Sequence, residues 1–250
     1  MRLHRDERAA RNMIGFTLTF GIIVVSVGLV ATMGYPQVDS LSQNERIDNA
    51  EAGMELVASN FRELQEQRAT ARTNELSLSG GSLTVLDGPT VRVQAEDTDF
   101  DRTFAVGGLQ YGYEGTTITY ESGALFRTYG EDNVAVVEGP TMRCSEERAV
   151  VSVSRVVSSS TAKTSGDYVS VTGTTQTQAL RFPTNRTGPG SMADADEIFV
   201  TVSSPRSDAW NRYFERNGNW TAGPTPDTYR CDGIDTMYVR ETVISVSFGA

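Results

Sequence analysis

The chain has 250 residues and a formal charge of −10, with 22 basic residues, 32 acidic residues and one histidine. Such a length holds one sizeable domain with a helical extension. The lone histidine, His4, excludes a histidine-based triad, relay or zinc site from everything downstream, and the acidic balance excludes nucleic acid as a partner, since phosphate binding needs a basic face.

Arg2, Arg5, Arg8 and Arg11 precede an uncharged run from Met13 to Met33, and the acidic excess lies beyond it. As a helix this run measures about 31 Å, close to the ~30 Å hydrocarbon core of a bilayer. A signal peptide has a shorter apolar core, so the run is expected to be retained as a transmembrane helix over residues 10–35. The charge asymmetry predicts a single-pass protein of the cell membrane, N-terminus cytoplasmic and C-terminal domain extracellular. Thr17, Gly21, Gly28 and Thr32 fall within roughly 60° of one another on that helix, a small-residue stripe suited to packing against other helices.

Gly34 and Pro36 predict an interruption, followed by an extended amphipathic helix over residues 36–74. Within it Ile47, Ala50, Met54, Val57, Phe61 and Leu64 alternate in steps of three and four, which is a coiled-coil type of seam.

The leader "RDERAA" running into "RNMIGFTLTFGIIVV" resembles the precursors of archaeal type IV pilins and archaellins, with the signature "IGF" at Ile14, Gly15 and Phe16. The resemblance implies removal of a leader, residues 1–9, by cleavage between Ala9 and Ala10. It also implies self-association, or association with other pilin-like subunits, through the helix. A basic complement of 21 arginines and the single Lys163 on an acidic chain is similar to the composition of salt-adapted archaeal proteins. Farther on, "LQYGYEGTTITYESGALFR" and "VTVSSPRSDAWNRYFERNG" resemble uncharacterised haloarchaeal pilin-like surface proteins, in which such a helix precedes a β-rich domain.

From residue 75 to 250 the hydrophobic period becomes two. "ELSLSGGSLTVL" predicts a hairpin about Gly80-Gly81, and short alternating strands follow at intervals of 8–12 residues up to "MYVRETVISVSF". One helix breaks the series, with Ser207 as its expected cap and Trp210, Tyr213 and Phe214 on one face, a spacing that core packing explains. The expected class is therefore α+β: a long N-terminal transmembrane and amphipathic helix, then a mainly antiparallel β-sandwich ectodomain with one short helix.

Motifs of chemistry are sparse. Neither a phosphate-binding glycine loop nor a dinucleotide fingerprint occurs, so no enzyme activity, cofactor or small-molecule substrate is expected. Asp97, Asp99 and Asp101 have the rhythm of a calcium loop, but Gly108 stands where such a loop closes with Glu, leaving only a weak metal candidate. Asn185-Arg186-Thr187 and Asn219-Trp220-Thr221 are glycosylation sequons. Cys144 and Cys231 are either a disulfide or two buried thiols. The expected function is a pilin-like structural or assembly protein of the cell surface, of minor pilin or pseudopilin type. The alternative is a non-polymerising single-pass protein whose external β domain binds a ligand or partner.

Overall fold

Non-polar residues spaced for a helix fill the N-terminal quarter, and residues spaced for strands fill the rest. A computed structural model describes residues 6–96, 98–130, 133–158, 162–183 and 196–249, with the side chains of the first helix described at residues 13, 15–29 and 43–65. Helix α1 (Asp6–Gln65) leads into β1 (Ala71–Ser77), β2 (Ser82–Leu86), β3 (Thr90–Ala95), β4 (Asp101–Ala105) and β5 (Gly108–Tyr113). Next come β6 (Thr116–Glu121), β7 (Ala124–Tyr129), β8 (Asn133–Glu138), β9 (Met142–Cys144) and β10 (Arg148–Ser158). The chain continues through β11 (Lys163–Ser165), β12 (Tyr168–Phe182), β13 (Glu197–Ser203), α2 (Ser207–Arg216), β14 (Thr221–Ala222), β15 (Thr228–Asp232) and β16 (Thr236–Gly249).

These findings correct the expected α+β class. With sixteen strands to two helices among the described residues, the chain is mainly β. Also among the described residues, no helix is long and apolar enough to cross a membrane. The transmembrane helix expected at 10–35, and the single-pass placement that rested on it, are corrected accordingly. Nor is there a break at Gly34 and Pro36, because α1 continues through both. It ends at Gln65 rather than near residue 74, because Ala71–Ser77 pairs with β12 instead.

The chain divides into two units, Met1–Arg46 and Ile47–Ala250. In the second, the strands form three sheets, in the orders β1-β12-β16-β10-β9, β11-β2-β5-β6-β7-β8 and β14-β15-β13-β3-β4. Pairing is antiparallel except between β10 and β16, which run parallel over eleven residue pairs. The hairpin expected about Gly80-Gly81 is absent: β1 joins the first sheet and β2 the second. A Cβ on Gly81 would meet the Tyr111 ring of β5 at 2.6 Å, a close approach within the second sheet that glycine permits.

The first sheet serves two cores with opposite faces. Ala149, Val151 and Val153 of β10 and Met237 and Val239 of β16 enter a core with the third sheet and α2. Val156, Ile244 and Val246 of the same strands enter a core with the second sheet and the C-terminal part of α1. Odd-numbered positions are thus buried at one end and even-numbered ones at the other. Where the phase changes both faces are covered, and Ser152, Ser154, Glu241, Thr242 and Ser245 are buried there.

Two local devices complete the unit. Cys144 and Cys231 form a disulfide with a Cα–Cα distance of 5.8 Å, joining β9 of the first sheet to β15 of the third across 87 residues of sequence. Closing such a loop is worth about 4–5 kcal/mol in the chain-entropy model. At the end of α1, Arg68 N–H donates to the Glu63 carbonyl and Gln67 N–H to that of Leu64, with Gln67 at φ 63°. This is a Schellman cap whose left-handed position, normally glycine, holds glutamine. Replacing it by glycine (Gln67→Gly) is expected to raise the unfolding free energy by about 0.5–1 kcal/mol in urea titration. The double substitution Cys144→Ala/Cys231→Ala is expected to lower the same quantity by about 2–5 kcal/mol.

Candidate functional site

Residues 13–29 of α1 form the surface that most needs explanation. Met13, Phe16, Leu18, Phe20, Ile22, Ile23, Val24, Val25, Val27 and Leu29 are all exposed, with relative accessibilities from 51% to 75%. The polar side chains between them are turned inward upon the helix. Thr17 donates to the Met13 carbonyl at 2.7 Å, Thr19 to Gly15 at 2.9 Å and Ser26 to Ile22 at 2.7 Å. Hydroxyls bonded back in this way seek nothing from outside, so the flank of the helix is apolar in every direction. Cβ atoms built on Gly15, Gly21 and Gly28 would meet nothing within 4 Å, which leaves backbone open to close approach. Of the expected packing stripe, Thr17, Gly21 and Gly28 lie here, while the side chain of Thr32 lies outside the described residues.

The second expected packing seam has a different fate. Ile47, Ala50, Met54, Val57, Phe61 and Leu64 are buried to 7% exposure or less, in the chain's own core and not against another subunit. Phe61 meets Tyr120 edge-on at 5.2 Å, and Arg127 of β7 pairs with Asp48 at 3.0 Å and Glu51 at 2.6 Å. At roughly 1.5–3 kcal/mol for each large side chain buried, this seam is committed to folding.

Two fully buried carboxylates escaped the sequence reading. Glu121, at the end of β6, accepts from Arg206 Nε at 2.6 Å, Ser204 Oγ at 2.8 Å and Trp210 Nε1 at 3.2 Å. This network fixes the start of α2, where Arg206 and not Ser207 is the cap residue and no side-chain capping bond forms. Trp210 and Phe214 fill the core with Trp220 and Tyr229, and Tyr213 is half-buried. Glu241 of β16 accepts from Arg155 Nη1 at 2.9 Å and Arg181 Nε at 2.6 Å, with Arg102 Nη2 at 4.0 Å. Burial opposes its ionisation, and the bonds from Arg155 and Arg181 together outweigh that, holding the carboxyl below the usual carboxylate range. A third buried group, the Tyr120 hydroxyl, bridges Gln65 and Ser154, and burial pushes its pKa up to about 12. A signal for Glu241 and Arg155 did exist: both occupy the apolar phase of their strands, beside Val239 and Val153.

The remaining expected sites disperse. Asp97 and Asn185 lie outside the described residues, as do the side chains of Ala9 and Ala10. Asp99 is exposed, and Asp101 is engaged by Arg92 Nε at 2.8 Å, which lowers its pKa despite slight desolvation. Among the described residues no group of three or more His, Cys, Asp and Glu is placed to hold a metal ion. Asn219 is exposed in the turn after α2, next to buried Trp220.

One family profile matches the chain, over residues 8–247, and its description is a family of unknown function, DUF7289. No curated protein and no solved structure matches.

The geometry about Glu241 sets an acid limit on the fold. Its lowered pKa means that its stabilising contribution is complete above the ordinary glutamate value of about 4.3 and is lost as pH falls through the folded-state value. The Glu241→Gln variant is expected to be less stable by about 1–3 kcal/mol at pH 7, because Arg155 and Arg181 lose their buried partner while remaining partly in water. Urea titrations at pH 7 and pH 3 should find that difference reduced at the lower pH.

Proposed function

The chain belongs to the DUF7289 family, to which no activity is attached, and from its geometry we propose that it is a pilin-like structural subunit of a cell-surface filament, of minor pilin or pseudopilin type. Residues 13–29 would pack against the same residues of other copies. The observation that carries this reading is the helix flank itself, apolar all round with its hydroxyls satisfied internally. A helix of that kind requires cover on every side. A second copy suits it, because each helix offers both a lane of small residues at Thr17 and Gly21 and a bulky ridge, where Phe16 and Phe20 stack at 6.2 Å. Close backbone approach at such a lane gains dispersion contacts that larger side chains would prevent.

Two further features support the reading. The disulfide suits a protein that matures in an oxidising compartment, as one displayed at a surface would. The burial of the Ile47–Leu64 seam leaves residues 13–29 to supply association while the β unit is carried along as a folded body. Cleavage between Ala9 and Ala10 would precede assembly, as the resemblance to pilin precursors implies.

Electron microscopy and sedimentation of the full chain from its native host test the proposal, with mass spectrometry of its N-terminus. Filaments built from chains that begin at Ala10 are expected. The Gly21→Leu variant should reduce filament yield at least tenfold while leaving the thermal midpoint of the β unit unchanged, since among the described residues nothing lies within 4 Å of a Cβ built at that position. Chains that stay monomeric at every concentration, with residues 13–29 open to proteolysis, would refute it.

A further inference from the structure

We propose that Arg102, Arg155 and Arg181 form a binding site for a tetrahedral oxyanion, a phosphate or sulfate group, with Glu241 as its internal counter-charge. Three strands of the first sheet and one of the third converge here. Arg155 projects from β10, Glu241 from β16 and Arg102 from the edge strand β4. Arg181 occupies a register break of β12, between Leu180 and Phe182, and has no partner residue on β16. A bulge of this kind re-aims the side chain that it carries.

Charge is out of balance at the cluster. Three guanidiniums face one carboxylate, and among the described residues no other carboxylate lies within 4.0 Å of any of them. Glu241 is 1% exposed at its side chain, so it acts as a fixed internal anchor. It takes up Nη1 of Arg155 and Nε and Nη2 of Arg181, and the Ala105 carbonyl takes Nε of Arg155 at 2.9 Å. The other guanidinium N–H groups of these two residues are held in place without a described bond. Arg102 is 46% exposed, its guanidinium 5.4 Å from the Phe104 ring centre and joined to Glu241 only by the 4.0 Å approach. Among the described residues the cluster thus carries two positive charges in excess, on a chain whose net charge is −10. Their mutual repulsion falls when an anion enters, and planar guanidinium forks match the paired oxygens of phosphate or sulfate.

Calorimetric titration of the full chain at constant ionic strength tests this, with chloride as reference and inorganic phosphate, sulfate and a hexose phosphate as probes. Saturable binding of at least one oxyanion is expected. Arg102→Gln should weaken it at least tenfold without moving the ligand-free thermal midpoint, and Arg102→Lys should restore part of it. Equal affinity for inorganic and hexose phosphate would assign the free ion, and tighter hexose phosphate binding a phosphorylated glycan. Oxyanions that bind no better than chloride, or an Arg102→Gln variant that binds as well as the parent, would overturn the proposal. Both readouts are independent of residues 13–29, so they stand apart from filament formation.

Discussion

Two parallel strands, β10 and β16, must each bury one face at one end and the opposite face at the other, and the rest of the β unit follows from that constraint. A sheet with a single core can alternate apolar and polar residues along its whole length. Here the alternation has to slip, and around the slip both faces lie under protein. Polar residues there cannot reach water, so each needs a partner. Ser154 finds Tyr120, which in turn accepts from Gln65, and Glu241 finds two arginines. The second sheet solves a related problem at Glu121, whose neighbour Tyr120 faces the other core. The polar groups at the phase change therefore mark where two cores meet.

Helix α1 shows how one element can hold two kinds of apolar surface. Its later turns carry a narrow seam with charged neighbours, and that seam closes a core inside the chain, clamped by Arg127 to Asp48 and Glu51. Its earlier turns, residues 13–29, carry apolar groups all round, and no single sheet could cover them. The distinction is geometric. A stripe needs one neighbour and a fully apolar cylinder needs several.

Much of the local structure was legible in the residues, because it depends on near neighbours. The position of α2 and the inward side of Trp210 and Phe214 follow from their spacing, and most strands lie where the period-two runs put them. Long-range pairing was not legible. Gly80-Gly81 has the composition of a tight turn, yet the next strand leaves for another sheet, a choice made by β5 and β12, many residues away. The Ile47–Leu64 periodicity announced a partner without saying whether it belonged to the same chain. The Glu241 cluster was hidden for the same reason: its arginines come from β4, β10 and β12, separated by tens of residues, and only the misplaced charge in an apolar phase hinted at them. The cysteine pair was readable as a possibility, and folding brought its members together.

The position of β16 in chain order has a consequence in time. It lies between β12 and β10 in the middle of its sheet, and it supplies side chains to both cores, yet it follows all the other described strands in the sequence. Until residues 236–249 are available, neither core can close and β10 has no inner neighbour. While residues 236–249 are still to be made, the apolar faces of β10 and β12 stay uncovered, and both cores close together once they arrive.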